Sequence, residues 1–192
     1  MTILITTSHK PSPRLRSFVK DLASVIPGSL KLNRGKKTLE DLLYDAIELN
    51  ADRLIIVGEK KGNPGSIRVY LVDREEETLR ELAYYSIKGV KLSRENPYAT
   101  RIYNPTILMI DSSNVKSNVE EEFIDIFSRS FKAKIHVGSL EEIAGKVDVL
   151  AIPRWDGKII KLFFMNPSTR KLGGPVIKFS RVMDFEKNKS IP

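Results

Sequence analysis

The stretch ILITTSHKPSPRLRSF, Ile3–Phe18, decides how the chain begins to fold. Its apolar start, ILITT, predicts a short buried strand. Ser12 followed by Pro13 predicts the capped first turn of a helix, because serine is a good N-cap and proline fits the first helical position. Apolar residues then recur at helical spacing from Leu15 to Ile26. The sequence therefore predicts a strand, a polar loop and an amphipathic helix, in that order.

The rest of the first half continues this alternation. SLKLN predicts a second strand, and Thr38 with Asp41 predicts a reciprocal capping box that opens a second helix. RLIIVG and SIRVYLVD predict two strands joined by the turn KKGNPG, whose glycines and Asn-Pro are typical of turns. LRELAYYSIKGVKLS, residues 79–93, fits either a helix or a strand, and its alternating aromatic part favours a strand.

The second half repeats the same order of segments. ILMIDS corresponds to ILITTS, Ser117 and Glu120 predict a capping box before a second amphipathic helix, and AKIHV, SLEEI, VDVLAIP, KIIKLFFMN and GPVIKFSRVMDF follow in turn. We therefore predict an α/β fold with mixed sheets, built as two similar β-α-β-α-β-β halves. The chain would be one domain, residues 1–192, with halves at about 1–95 and 104–186 around the linker SRENPYATRIYNP, and a loose tail at 187–192.

Composition excludes several classes of site. The chain of 192 residues is 41% hydrophobic, enough for one domain with a substantial core. It has no cysteine and two histidines, which excludes disulfides and thiolate metal sites and leaves little material for a zinc site, so we expect no metal and no cofactor. No apolar run reaches the roughly 20 residues of a membrane span, and no signal-peptide pattern opens the chain. We expect a soluble, cytoplasmic monomer without membrane contact.

The charge of the chain is segregated along its length. The net charge is +8, but residues 1–37 hold eight Lys or Arg and one acid, and residues 154–192 hold nine and three. The segment 38–153 holds fifteen basic and twenty acidic residues. Two basic ends around an acidic middle indicate a positive face for a polyanion if folding brings the ends together. The alternative is a solvated surface with accidental clustering.

The loop between the first strand and the first helix has the chemistry of an anion site. A strand that leads into a helix directs unpaired backbone N–H groups and the positive end of the helix dipole beyond the sheet edge. Hydroxyl donors and cations surround this point, and both suit a nucleic-acid backbone. The residues are Thr6, Thr7, Ser8 and Ser12 for hydroxyls, and Lys10, Arg14, Arg16 and Lys20 for cations.

A second basic loop, LNRGKK, follows the second strand. If the crossover is parallel and right-handed, this loop emerges at the same sheet edge as the first. It contributes Asn33, Arg34, Gly35, Lys36 and Lys37, with Gly35 either permitting a close backbone approach or serving as an ordinary loop glycine.

One aromatic residue is a candidate for stacking on an unpaired base. Trp155 falls in a predicted turn beside Arg154, and the sequence predicts that it is exposed. The tyrosines at 84, 85, 98 and 103 could also stack, although most aromatic side chains serve cores.

The sequence gives little support to catalysis. His9 lies near Ser8 and Ser12, but no orienting acid is close in sequence and no nucleophile-elbow pattern is present. Walker and G-x-G-x-x-G loops are also missing from the chain. We therefore expect no enzyme activity; an enzyme acting on a phosphorylated metabolite at the first loop stays a minor alternative.

Three pieces together, TTSHKPSPRLRSF, LNRGK and KGNPGSI, resemble in order and spacing the Brix-domain proteins of ribosome biogenesis. The resemblance covers nearly the whole chain and is closest to the minimal archaeal members, which are related to the eukaryotic Brix proteins of the small-subunit processome. It implies a duplicated fold similar to the anticodon-binding domain of class IIa aminoacyl-tRNA synthetases. The positions that match the family are Thr6, Thr7, Ser8, Lys10, Ser12, Arg16, Asn33, Arg34 and Gly35, whereas His9 stands where members often have arginine.

The resemblance also implies a function: binding of ribosomal RNA or pre-rRNA during ribosome assembly and rRNA processing, without catalysis. Our leading hypothesis is therefore a factor that holds pre-rRNA on a basic face formed by the amino-terminal cluster and part of the carboxyl-terminal strands. The alternative is a protein-interaction module that docks acidic assembly proteins within a pre-ribosomal ribonucleoprotein.

Overall fold

The segments of the first half form in the predicted order. The computed structural model describes residues 2–192, and the first half comprises β1 (Thr2–Thr7), α1 (Pro13–Ala23), β2 (Ser29–Lys31), α2 (Leu39–Glu48), β3 (Ala51–Lys60), β4 (Asn63–Asp73) and β5 (Thr78–Lys91). Ser12 caps α1 by accepting a hydrogen bond from the Leu15 amide, and Thr38 forms the predicted capping box with Asp41. The ambiguous stretch is a strand, β5, as its alternating pattern predicts.

The second half has the same order of elements with two additional short strands, β10 and β12. A linker with one 3₁₀ turn at Ser93–Glu95 joins the two halves. The second half comprises β6 (Leu108–Asp111), α3 (Asn118–Phe131), β7 (Lys134–His136), α4 (Leu140–Ile143), β8 (Val149–Trp155), β9 (Ile160–Asn166), β10 (Lys171–Leu172), β11 (Val176–Asp184) and β12 (Lys189–Ile191). None of these helices, nor those of the first half, is long and apolar enough to cross a membrane in the part of the chain that the structure describes.

All strands belong to one mixed sheet, which confirms the predicted α/β class. The order is β2-β1-β3-β4-β5-β11-β9-β8-β6-β7, with β10 beside β9 and β12 beside β11. β1 pairs in parallel with β2 and β3, β6 pairs in parallel with β7 and β8, and the two halves join through the antiparallel pair β5–β11. Five antiparallel pairings separate β3 from β8, so the two strands run in opposite directions. The carboxyl ends of β1–β3 and of β6–β8 therefore lie at opposite edges of the sheet.

The helices lie on different faces of the sheet. α1 and α3 cover one face, where the apolar side chains of both halves form a single core. At its centre the buried Tyr85 of β5 packs against Phe123 and Phe131 of α3 and Phe179 of β11, with ring centroids 5.4–6.2 Å apart. The Tyr85 hydroxyl donates to Ser130 Oγ at 2.7 Å. α2 and α4 cover the other face only near its two ends, in separate small clusters.

The structure differs from the sequence prediction at the first hairpin and at the tail. The turn is only Lys61-Gly62, both with positive φ, so β4 starts at Asn63 and includes Pro64 beside a bulge. The prediction of a loose tail at 187–192 is wrong: β12 pairs with β11, and Ile191 is only 4% exposed in the main core. Ile191 is the only apolar side chain among polar and charged neighbours in this segment, so the sequence shows no alternation that would predict a strand.

The second predicted capping box forms only in part. Ser117 accepts from the Glu120 amide, but the carboxylate of Glu120 bonds to the Lys116 amide and to the Trp155 amide, at 2.8 and 3.1 Å. The buried Glu120 thus ties the start of α3 to the end of β8.

Candidate nucleic-acid interface

Three loops meet at the edge where β1, β2 and β3 end. The β1–α1 loop contacts the β2–α2 loop, since His9 Nδ1 donates to the Gly35 carbonyl at 3.3 Å, and it contacts the β3–β4 turn, since Ser12 Oγ donates to the Gly62 carbonyl at 3.0 Å. The prediction that the two loops emerge together is confirmed, because both crossovers run between parallel strands. We call this surface, residues 8–12, 32–38 and 60–63, the basic edge.

Most of the predicted hydroxyl donors serve the fold. Thr6 is fully buried and its Oγ1 donates to the Leu32 carbonyl at 2.9 Å, and Thr7 is also buried. The Ser12 amide donates to Glu59 Oε2 at 2.7 Å, and hydrogen bonds from Ser12 hold the pKa of Glu59 below its ordinary value. The prediction that Thr6, Thr7 and Ser12 face a phosphate is therefore wrong, which leaves the half-buried Ser8. A carboxylate already occupies the start of α1.

Arg34 lies at the centre of the basic edge and is an unusual cation. It is 9% exposed, its Nη2 donates to His9 Nε2 at 3.3 Å, and its buried Nε has no hydrogen-bond partner. Within residues 2–192 no carboxylate forms an ion pair with it. Burial lowers the pKa of Arg34, because desolvation disfavours the charged form. The guanidinium is thus partly desolvated with no carboxylate of the described residues within salt-bridge distance, and Asp41 acts on it only from farther away.

Exposed cations extend from the elements next to Arg34. Lys10, which has a positive φ, and Lys36 belong to the two loops, and Arg16 follows in the first turn of α1. In the described part of the chain none of the three pairs with a carboxylate, and Asn33 is also exposed beside them. Gly35 has φ +55°, which explains a glycine at this turn.

Two predicted contacts are occupied by carboxylates. Arg14 binds Glu95 with both terminal nitrogens, at 3.0 Å for Nη2 to Oε2, and also donates to the Val90 carbonyl. The hydrogen bond from Arg14 lowers the pKa of Glu95. Lys37 binds Asp45 at 2.7 Å. Arg14 and Lys37 therefore fasten α1 and α2 to their surroundings, and the prediction that they are free for RNA is wrong.

A cleft of about 550 Å³ lies between α1 and the linker between the halves. Lys20 of α1 lines it together with Arg94 and Arg101 of the linker, and Tyr103, 75% exposed, stands at its border. These three cations form no ion pair among the described residues. The cleft is a place where an unpaired base could lie beside cations.

Many charges at the opposite edge of the sheet are ion-paired. Arg129 binds Asp125, Asp184 and Glu186, and Lys132 and Arg74 both bind Asp52. Further pairs join Lys187 to Asp125 and Lys189 to Glu122. This edge therefore has a network of paired charges, whereas Lys10 and Lys36 of the basic edge have no carboxylate partner among the described residues.

The structure does not bring Arg154 and Trp155 to the basic edge. They end β8, which runs opposite to β1, and so lie toward the other edge of the sheet. Trp155 is half-buried, packs against the main core and belongs to the strand rather than to a turn. The predictions that it is exposed and that it joins the amino-terminal cluster are wrong, because sequence gives the order of strands but not their direction in the joined sheet.

Sequence reasoning missed four cations at the basic edge or next to it. Lys60 ends β3 and Lys61 lies in the β3–β4 turn. Lys91 ends β5, which runs parallel to β1, and Arg94 lies in the 3₁₀ turn that follows. All four are exposed. A hairpin that follows a parallel strand must turn at the carboxyl edge, and that rule could have found the first two.

The geometry at His9 does not suit a general base. Nδ1 faces the Gly35 carbonyl and Nε2 accepts from Arg34, so both ring nitrogens are engaged.

Comparison with known proteins agrees with the fold and the motifs. No protein-family model matches the chain. A probable Brix domain-containing ribosomal biogenesis protein of Aeropyrum pernix is 38% identical over 183 residues, 95% of this chain and 97% of that protein. A protein of the same description from Pyrococcus abyssi is 34% identical over 91% of this chain and 81% of its own.

Two crystal structures are similar over nearly the whole chain. A probable ribosomal biogenesis protein from Aeropyrum pernix K1 superposes with a TM-score of 0.79 at 35% identity, covering 93% of this chain and 95% of that one. An archaeal Imp4-like protein superposes with a TM-score of 0.68 at 20% identity, covering 94% and 99%, and supports the fold alone. The identity and coverage of the curated relatives confirm the resemblance found in the sequence. This chain belongs to the family of archaeal Brix domain-containing ribosomal biogenesis proteins.

Proposed function

We propose that the protein is a non-catalytic, cytoplasmic factor of ribosome biogenesis that holds ribosomal RNA on the basic edge during assembly and rRNA processing. The relatives' names support the process, since they are described as ribosomal biogenesis proteins. One observation supports the RNA contact most directly: Arg34 is buried, has no carboxylate of the described residues within salt-bridge distance and has an unsatisfied Nε at the point where the three loops meet.

The distribution of cations supports a polyanion rather than a small anion. Lys10 and Lys36 are exposed on the two loops that meet at Arg34, Arg16 follows on α1, and Lys60 and Lys61 extend the surface along the β3–β4 turn. A single phosphate would need only the centre of this arrangement, whereas a nucleic-acid backbone can contact all of it. Glu59 fills the start of α1, which disfavours a phosphate bound at that helix end. We therefore favour backbone contacts to RNA spread over several cations.

The cleft beside α1 extends this surface. Lys20, Arg94 and Arg101 can contact phosphates, and Tyr103 can stack on a base that leaves the strand. Single-stranded RNA suits such a site, because its bases are free to turn toward the protein. The common order of elements in the two halves agrees with a duplicated fold related to the anticodon-binding domain, and we include that relation, with one domain over 1–192, in the proposal.

The test compares two variants with equal loss of charge. K10Q/R16Q/K36Q removes three exposed cations, unpaired among the described residues, from the two loops of the basic edge and the start of α1. K116Q/K134Q/K158Q removes three exposed cations elsewhere that form no ion pair within residues 2–192. Binding to a labelled single strand of about 12 nucleotides is measured by fluorescence anisotropy at several salt concentrations. We expect the first variant to lose about 0.7 unit of salt slope per lost contact, about 2 in total, and the control to lose much less. Equal losses in both variants would mean that only net charge matters and would refute the basic edge.

A further inference from the structure

The middle of the sheet has one face that no helix covers. On β5, β9 and β11 the residues that face α1 and α3, such as Tyr85, Leu162 and Phe179, are buried in the main core. The alternate residues face the other way, between the separate clusters of α2 and α4. Met165 of β9 is buried in the cluster of α4, and the other alternate residues are half-buried or exposed. We call this surface the open face.

A row of three cations crosses the open face on three adjacent strands. Arg154 of β8 is directly opposite Lys161 of β9, and Lys161 is directly opposite Lys178 of β11. Neighbouring strands lie about 5 Å apart, so the three side chains leave the sheet side by side. Like charges in directly opposite positions destabilise a sheet. The described residues offer this row one carboxylate, Asp156, at 3.0 Å from Lys161 Nζ.

Two half-buried aromatic rings lie on the same face, on either side of this row: Phe163 is two residues from Lys161, and Tyr84 is opposite Met183, five residues from Lys178. Tyr84 of β5 and Phe163 of β9 point to the open face, since their neighbours Tyr85 and Phe164 are buried on the other side. The Arg68 guanidinium lies over the Tyr84 ring, 5.3 Å from its centroid, and Arg181 is opposite Ser86 on the same face. Aromatic rings on a sheet with cations around them are the usual platform for unpaired bases.

We infer that the open face is a second surface for single-stranded RNA, separate from the basic edge. Phosphates would contact Arg154 and Lys178, which are unpaired within residues 2–192, and bases would stack on Tyr84 and Phe163. Charge complementarity identifies the ligand as a polyanion, and the two rings favour RNA over an acidic peptide, which has no planar groups to stack. The inference deepens the proposed function, since the ligand class is the same, but it rests on other strands and other residues.

The test uses the full chain and the same labelled strand of about 12 nucleotides, with R154Q/K161Q/K178Q as the variant and K116Q/K134Q/K158Q as the control. We expect the variant to lose about 1.4 units of salt slope, which is about 0.7 for each of the two unpaired cations Arg154 and Lys178, and to bind about 25-fold more weakly at about 0.1 M salt. Ultraviolet crosslinking of the unmodified protein to a 4-thiouridine strand, followed by peptide mapping, provides a second readout that does not depend on a variant. We expect crosslinks in β5 and β9.

The outcomes separate the two surfaces. If R154Q/K161Q/K178Q binds like the control and no crosslink maps to Tyr84 or Phe163, the open face does not bind RNA, whatever the basic edge does. If this variant loses RNA binding while K10Q/R16Q/K36Q retains it, the open face is the RNA-binding surface and the proposed RNA contact at the basic edge is refuted. If polyglutamate displaces the RNA as effectively as unlabelled RNA does, and crosslinks miss both rings, the surface takes acidic protein and the inference is overturned.

Discussion

Arg34→Met should make the protein more stable and a weaker RNA binder. In the folded chain the Arg34 guanidinium is buried, its Nε has no partner, and it donates one hydrogen bond, 3.3 Å long, to the exposed His9. A buried unsatisfied donor costs about 1–3 kcal/mol, and a typical hydrogen bond stabilises by about 1 kcal/mol. Methionine fills much of the same space without the charge. We expect the free energy of unfolding to rise by about 1 kcal/mol, which raises Tm by about 2–4 °C for a chain of this size.

The same substitution removes the central cation from the RNA surface. Loss of one phosphate contact lowers the salt slope by about 0.7 and weakens binding about fivefold at about 0.1 M salt. Thermal unfolding without RNA and anisotropy titrations at several salt concentrations measure the two effects. If the substitution raises the free energy of unfolding but lowers RNA affinity, Arg34 serves ligand binding; a residue that serves the fold would lower the free energy of unfolding when replaced.

Arg53→Met is the matched control. Arg53 is also partly buried, but its guanidinium donates to the Arg129 carbonyl at 3.1 Å and to the Asp52 carbonyl at 3.0 Å, at the edge opposite to Arg34. Its loss should destabilise the fold by about 1–3 kcal/mol and leave RNA affinity unchanged. If Arg34→Met instead lowers Tm and leaves both affinity and salt slope as they were, Arg34 is a structural residue and the reasoning is refuted.

Three further predictions concern contacts that we assign to the fold. Arg14→Gln should lower the free energy of unfolding by up to about 1 kcal/mol and leave the salt dependence of RNA binding unchanged, because Glu95 already neutralises Arg14. A weaker salt dependence in titrations would show that Arg14 leaves Glu95 to bind RNA. Tyr85→Phe should cost about 1–2 kcal/mol in chemical denaturation, since it leaves the buried Ser130 hydroxyl without its partner; no change would mean that the two halves do not depend on this bond. Burial alone would raise the pKa of Asp148, but hydrogen bonds from the Thr106 and Ile107 amides and the Thr106 hydroxyl outweigh it and lower the pKa. The stabilisation by Asp148 is therefore present above the unfolded pKa of about 3.9 and is lost as the pH falls through the lower folded pKa. Asp148→Asn should cost about 1 kcal/mol of unfolding free energy near neutral pH and make that free energy depend less on pH in the acid range. An unchanged dependence in the acid range would contradict this prediction.

The local structure of the first half follows from its sequence. Ser12 with Pro13 and Thr38 with Asp41 start helices because their side chains satisfy amides that the helix itself cannot. The meeting of the two basic loops also follows, since parallel strands with right-handed crossovers place both loops at one edge.

What the sequence does not predict depends on pairing between distant segments. The partners of Arg14 and Lys37 are carboxylates 81 and 8 residues away, and nothing near these cations in the sequence identifies them. The position of Arg154 depends on the β5–β11 junction, which reverses the second half relative to the first. Local patterns contain neither kind of information, so they identified candidate cations without showing which ones are free.

The most direct test of the account is to crosslink the full chain to the ribosomal RNA that it binds in cell extract and to map the crosslinked peptides. The account predicts crosslinks in residues 8–12, 32–38 and 60–63, at the edge where β1, β2 and β3 end. Crosslinks concentrated instead at the ion-paired opposite edge, in residues 73–78 and 184–189, would contradict it.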